Sequence, residues 1–159
     1  MLSANQLILL VEDDANDVFL LQHAFAAAGI THRIAVVSDG RRAIAYLAGV
    51  DQYSDRGRFP FPGLVLLDLK LPVCTGLEVL RWLQQQPALC PLPVIVLSSS
   101  AGGRDVEEAY RLGGRAFLVK PLSVGEWVEL AKAVKAFWLD LNEFPNLEGQ
   151  SATSVMANG

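Results

Sequence analysis

Basic residues never cluster in this chain: its 13 lysines and arginines are outnumbered by 17 aspartates and glutamates, and the net charge is −4. Gripping nucleic-acid phosphates needs basic side chains gathered on one face, so no nucleic-acid partner is expected. Cysteine is nearly absent. Cys74 and Cys90 stand in no metal-ligand spacing and read as ordinary reduced thiols, not as a disulfide framework. No apolar run approaches the roughly 18 residues a membrane-spanning helix requires. Met1–Gln6 also lacks the basic and apolar regions of a secretion signal. The expectation is a cytoplasmic protein with no membrane partner. No G-x-G-x-x-G follows the first apolar run, and no G-x-x-x-x-G-K-[ST] occurs anywhere, so dinucleotide and nucleoside-triphosphate sites of those types are excluded.

What the chain does have is alternation. Five short apolar runs, Leu7–Val11, Arg33–Val37, Leu64–Leu67, Val94–Leu97 and Ala116–Val119, are separated by amphipathic stretches. The first stretch is capped by Asp14, carries Val18, Leu21, Phe25 and Ala28 at helical spacing, and closes at Gly29. A second helix is expected over Gly40–Ala48, and a third through Leu77, Leu80 and Leu83, stopped by Pro87. A fourth runs through Val106, Ala109 and Tyr110 to Gly113. The last opens on Ser123-x-x-Glu126, a capping box, and should present Trp127, Leu130, Ala131, Val134 and Trp138 on one face. Gly49–Gly63, with Pro60 and Pro62, reads as a long loop.

Continuous apolar strands joined by helices imply a doubly wound parallel sheet covered on both faces, in an α/β fold of flavodoxin-like type. The expected domain spans 5–144. Residues 145–159, polar and rich in small side chains, read as a frayed tail with no further domain after them.

Sheets of this kind carry their sites beyond the carboxyl ends of the strands. There the first strand offers Glu12-Asp13-Asp14, the third Asp68, the fourth Ser98 and the fifth Lys120-Pro121. Crowded carboxylates repel one another. A hard cation such as Mg²⁺ resolves this with oxygen ligands while keeping positions open. A remaining carboxylate could then attack phosphorus, while an ammonium and a hydroxyl bind the transferring group. Singly, each feature has an ordinary explanation: Asp14 and Ser123 as caps, Glu12-Asp13 as an acidic turn before a helix, Lys120 as a solvated lysine. It is their coincidence at one cleft that points to chemistry.

In order, Leu10-Val11-Glu12-Asp13-Asp14, Leu66-Leu67-Asp68-Leu69-Lys70-Leu71-Pro72 with Gly76, Val96-Leu97-Ser98 and Lys120-Pro121 resemble the receiver domain of two-component response regulators. Ser98 follows Asp68 by 30 positions and Lys120 follows Ser98 by 22, as is typical of that family. The finer resemblance is to stand-alone, phytochrome-associated regulators. It rests on Asn16-Asp17-Val18, the long Gly49–Gly63 loop, Leu97-Ser98-Ser99-Ser100 and Ala136-Phe137-Trp138-Leu139.

The resemblance implies strand order 2-1-3-4-5 and a phosphoryl group accepted on Asp68 from a sensor histidine kinase, which the finer likeness makes phytochrome-type. Glu12, Asp13, Asp68 and the backbone carbonyl of Lys70 would hold Mg²⁺, with Mn²⁺ as a substitute. Ser98 and Lys120 would bind the phosphoryl oxygens, and Phe117 would join Ser98 as a switch residue. The Lys120–Pro121 bond would be cis. Lys70, where the family often has Asn, is expected to tune the lifetime of the phosphoprotein. Ser98 replaces the commoner Thr, and Phe117 the frequent Tyr.

Such a switch is not an enzyme toward outside substrates. A phosphatase with an aspartyl-phosphate intermediate would need an acid two residues after the nucleophile, where Lys70 stands. A pseudo-receiver would not need the intact acidic, hydroxyl and ammonium set. His23 and His32 lack a phosphotransfer context and read as exposed or packing residues. The apolar segment Ala136–Leu139, with Leu141 and Phe144, points to a homodimer.

Overall fold

The computed structural model describes residues 1–147. Of the segment expected to fray, 145–159, residues 148–159 therefore lie outside the described residues. Five strands, β1 (Leu7–Val11), β2 (Ile34–Val37), β3 (Pro62–Leu67), β4 (Val94–Ser98) and β5 (Ala116–Val119), pair in parallel. Their order is β2-β1-β3-β4-β5, the doubly wound arrangement expected. Five α-helices intervene: α1 (Ala15–Ala27), α2 (Gly40–Ala48), α3 (Gly76–Gln84), α4 (Gly103–Arg111) and α5 (Val124–Ala133).

Period-two alternation divides the interior into two cores. Leu7, Leu9 and Val11 of β1, Val65 and Leu67 of β3, and Val94 and Val96 of β4 face the core shared with Ala43, Leu47, Val79, Leu80, Leu83 and Ala109. Ile8, Leu10, Leu64, Leu66, Ile95 and Leu97 face the other, with Leu21, Phe25, Trp127 and Ala131. The three central strands are buried throughout, whereas β2 and β5 at the edges are only partly covered. Arg33 at the head of the run Arg33–Val37 is compatible with that edge position.

Three local features depart from the expectations. First, β3 begins at Pro62, inside the stretch read as loop, and its pairing with β1 shifts register between Leu7 and Ile8. Proline is tolerated at the first residue of a strand. The rest of that loop is held by an arginine. Arg56 donates to the carbonyls of Leu47 (3.0 Å) and Phe59 (3.2 Å), and its guanidinium lies over the rings of Tyr46 and Phe61.

Second, the last helix does not continue as an α-helix. Val134–Leu141 forms a π-helix, ending with the Asn142 amide bonded to the Phe137 carbonyl five residues back. The wider turn moves the buried stripe from Val134 to Leu139, leaving Trp138 half-buried beside it. Third, Ser123 caps α5 through the Glu126 amide, but the Glu126 carboxylate reaches the Leu122 amide instead of closing the box on Ser123.

Packing also extends past 5–144 at both ends. Leu2 is buried, with its amide on the Leu139 carbonyl, and Leu147 lies against the first core. No helix among the described residues is long and apolar enough to cross a membrane.

Candidate functional site

Strand order reverses between β1 and β3, and the cleft opens where their carboxyl ends part. Val11 and Leu67 stand opposite each other at the last register of that pair, so the next residues, Glu12 and Asp68, leave the sheet side by side. The Asp68 amide donates to the Val11 carbonyl, and the Glu12 amide to the Val37 carbonyl. The three acidic side chains Glu12, Asp13 and Asp68 place one oxygen each within 4.8 Å of one another. Glu12 and Asp68 are buried; Asp13 is exposed.

From the far edge of the sheet, Lys120 enters this group. Its amide donates to the Ser98 carbonyl at 2.7 Å, continuing the β4–β5 ladder one residue past Val119. Its ammonium lies 2.6 Å from Glu12 Oε2, 2.8 Å from Asp17 Oδ2 and 3.1 Å from Asp68 Oδ2. The Lys120–Pro121 bond is trans, which corrects the expected cis bond. With the Lys120 amide on β4, a trans link already carries the side chain to all three carboxylates.

Burial raises the Glu12 carboxyl to about 7, opposed by the Lys120 ammonium and the Asp14 amide and reinforced by the charge on Asp68. Burial alone would lower Lys120, but hydrogen bonds to Asp17 and Glu12 outweigh it and hold the ammonium firmly protonated. The native state thus binds a proton on Glu12 more tightly than the unfolded chain, whose carboxyl titrates near 4.5. Stability from this group is full below 4.5 and is lost as pH rises to about 7. A divalent cation, needing the carboxylate, gains over the same window. We expect the rise in melting temperature given by Mg²⁺ to grow from pH 5.5 to 7.5 and then level off. Glu12→Gln should flatten that profile, and a Mg²⁺ effect constant across the range in the unaltered protein would contradict the assignment.

The loop after Asp68 is tightly built. Lys70 is exposed, but its amide donates to Asp68 Oδ1 at 3.2 Å. A side chain on Gly76 would collide with the Asp68 carbonyl, which explains the glycine in that motif. Thr75 and Glu78 form a full capping box for α3, legible in the sequence as Thr75-x-x-Glu78. Just before this cap Val73 has φ +67°, in a turn where the Cys74 amide bonds the Pro72 carbonyl at 2.7 Å. A β-branched residue pays for this left-handed backbone. Val73→Gly is expected to stabilise the fold by about 1 kcal/mol, seen as a higher urea midpoint with unchanged slope. An unchanged or lower midpoint would refute the strain.

The remaining sites divide. Ser98 is fully buried at the end of β4, its hydroxyl accepting from the Ser100 amide at 3.5 Å. Phe117 pairs across from Val96 and packs, half-buried, on the core under α2 to α4. His23 is exposed and stacks on Phe19, while His32 Nε2 meets the Leu2 carbonyl. Cys74 and Cys90 are free. Sequence reasoning missed Asp17 as a partner of Lys120. The available signal was its position three residues after the Asp14 cap, in the first turn of the helix that opens onto the cleft.

The doubly wound sheet thus gathers an acidic pair, a third carboxylate and a lysine at its switch point, with three acidic oxygens close enough to hold a metal ion. Residues 8–132 match the family model for the response regulator receiver domain, and the chain belongs to that family. It is 36% identical over 139 residues to the probable methanogenesis regulatory protein FilR2 of Methanothrix harundinacea, covering 87% of each chain. It is 34% identical over 140 residues to the response regulator Rcp1 of Synechocystis, covering 88% of this chain and 93% of that one. The crystal structure of the phosphorylated cyanobacterial phytochrome response regulator RcpA superposes with a TM-score of 0.83. It is 34% identical and spans 90% of this chain and all of its own. The Mn²⁺-bound form of Rcp1 gives 0.80 at 34% identity, over 89% and 99% of the two chains.

Proposed function

We propose that this chain is a single-domain phosphorylation switch whose acceptor is Asp68, served by a sensor histidine kinase of phytochrome type in the cytoplasm. The observation that carries the reading is the Lys120 ammonium 3.1 Å from Asp68, inside a cluster of acidic oxygens. An Asp68 oxygen attacks the phosphorus of the donor's phosphohistidine. The O–P bond forms as the N–P bond breaks, and the electron pair returns to the imidazole nitrogen.

The oxygen-only donor set of Glu12, Asp13 and Asp68, with the Lys70 carbonyl as a main-chain ligand, suits Mg²⁺ or Mn²⁺. Bound there, the cation would offset negative charge on the transferring group. Lys120 and the Ser98 hydroxyl bind phosphoryl oxygens. For Ser98 this means turning from the Ser100 amide toward the cleft, which opens space beside β4 for Phe117 to repack. The phosphoryl group shifts this equilibrium only by its different contacts in the two states. Support for the phytochrome-type donor comes from the likeness to RcpA, and support for the metal from the likeness to Mn²⁺-bound Rcp1.

The test is incubation with acetyl phosphate and Mg²⁺ followed by intact-mass measurement. One labile phosphoryl group per chain is expected; rapid multiple turnover would favour a phosphatase, and no label at all would sink the switch. Lys70, exposed two residues past the acceptor, shields the phosphoryl group from attacking water in this account. Lys70→Asn should therefore change the autodephosphorylation rate several-fold, on the order of the effect of one positioned charge. A rate equal to that of the unaltered protein would remove Lys70 from the account.

A further inference from the structure

An ammonium has three protons to donate, and Lys120, buried among its neighbours, meets three carboxylates. Two of these, Glu12 and Asp68, belong to the acidic cluster suited to a cation. The third, Asp17, does not. It lies 2.8 Å from Nζ and is about a quarter exposed, so it keeps part of its hydration while holding the lysine.

Its placement is built into the start of α1. Asp14 caps that helix, its Oδ1 accepting from the amides of Asn16 (2.8 Å) and Asp17 (3.2 Å). The cap fixes the first turn against the end of β1, and the first turn aims Asp17 at a lysine from the opposite edge of the sheet. When a cation draws the Glu12 and Asp68 oxygens, Asp17 is the partner of Lys120 that the cation leaves alone.

We propose that Asp17 is the positioning residue for Lys120 in phosphoryl acceptance by Asp68, an inference that rests on the function proposed above. By holding one proton of the ammonium, it keeps Nζ beside the acceptor while Glu12 turns to the metal. Without it, the lysine either stays on Glu12, competing with the cation, or swings into solvent. Asp17 touches neither the donor nor phosphorus; it acts through Lys120.

The experiment is a double-mutant cycle on the initial rate of labelling by acetyl phosphate with saturating Mg²⁺. Asp17→Ala is expected to slow labelling roughly tenfold, as expected for a misplaced catalytic group. Asp17→Asn, which keeps an acceptor oxygen, should recover part of that loss. In a Lys120→Met background, Asp17→Ala should change the rate by less than about twofold, since the residue through which it acts is gone. Equal slowing in both backgrounds, or no slowing with Lys120 present, would overturn the proposal while leaving Asp68 as acceptor. If the unaltered protein takes no label, the acceptor assignment fails and this inference falls with it.

Discussion

Lys120→Met is expected to lower the rate of phosphorylation by about two to three orders of magnitude, the usual cost of removing a preorganised charge from a transferring group. The same change should destabilise the metal-free protein by about 3–5 kcal/mol, because it strips the counter-charge from buried carboxylates. Glu12 and Asp68 are almost fully enclosed, and Lys120 is their shared cation. Methionine matches the length of the stem, so little packing is lost. Mg²⁺ should then do what the ammonium did. Saturating Mg²⁺ should recover most of the lost stability without restoring the rate, because the metal offsets charge on the carboxylates but makes no hydrogen bond in place of Nζ. Urea denaturation with and without Mg²⁺ reads the first part, and acetyl phosphate labelling the second. Equal destabilisation in both conditions would mean that Lys120 supports the fold by packing and not by charge.

Asp68→Asn carries the second large effect, with opposite signs on two measurements. Labelling should vanish, and Mg²⁺ affinity should fall by about a hundredfold, since one anionic oxygen of three is lost at short range. Metal-free stability at pH 8 should instead rise by about 1 kcal/mol. The charge on Asp68 opposes ionisation of Glu12, while Lys120 keeps Glu12 and Asp17 as partners after the change. A carboxylate present only to pair with Lys120 would behave in reverse, with stability lost and metal affinity little changed. Calorimetric Mg²⁺ titration and thermal melting of the two proteins separate these outcomes.

The central strands were legible because burial on both faces leaves an uninterrupted apolar run. Leu64–Leu67 and Val94–Leu97 are strand-length runs of this kind, and the residues closing such runs are the site candidates. Glu12, Asp13, Asp68 and Lys120 follow directly from strand ends meeting at a switch point. What escaped depends on geometry across long distances. Asp17 and Lys120 are 103 positions apart, and no local pattern links a first-turn aspartate to a strand-end lysine on the far edge of the sheet. The π-helix escaped for a different reason. Val134, Trp138 and Leu141 fit an α-helical stripe as well as Val134 and Leu139 fit the wider turn, and burial of Leu139 beside Leu2 decides between them. The cis bond expected at Lys120–Pro121 came from resemblance alone, and the trans backbone reaches the same carboxylates.

The central claim is that Asp68, and no neighbouring carboxylate or histidine, carries the phosphoryl group. Borohydride reduces an aspartyl phosphate to homoserine, leaving a permanent mass change at the acceptor. Treating the protein with acetyl phosphate and Mg²⁺, reducing it and sequencing its peptides by mass spectrometry reads that residue directly. The account predicts homoserine at position 68 and intact aspartate at positions 13, 14 and 17. Homoserine at any of those three, or phosphate retained on His23 or His32 with Asp68 unchanged, would contradict it.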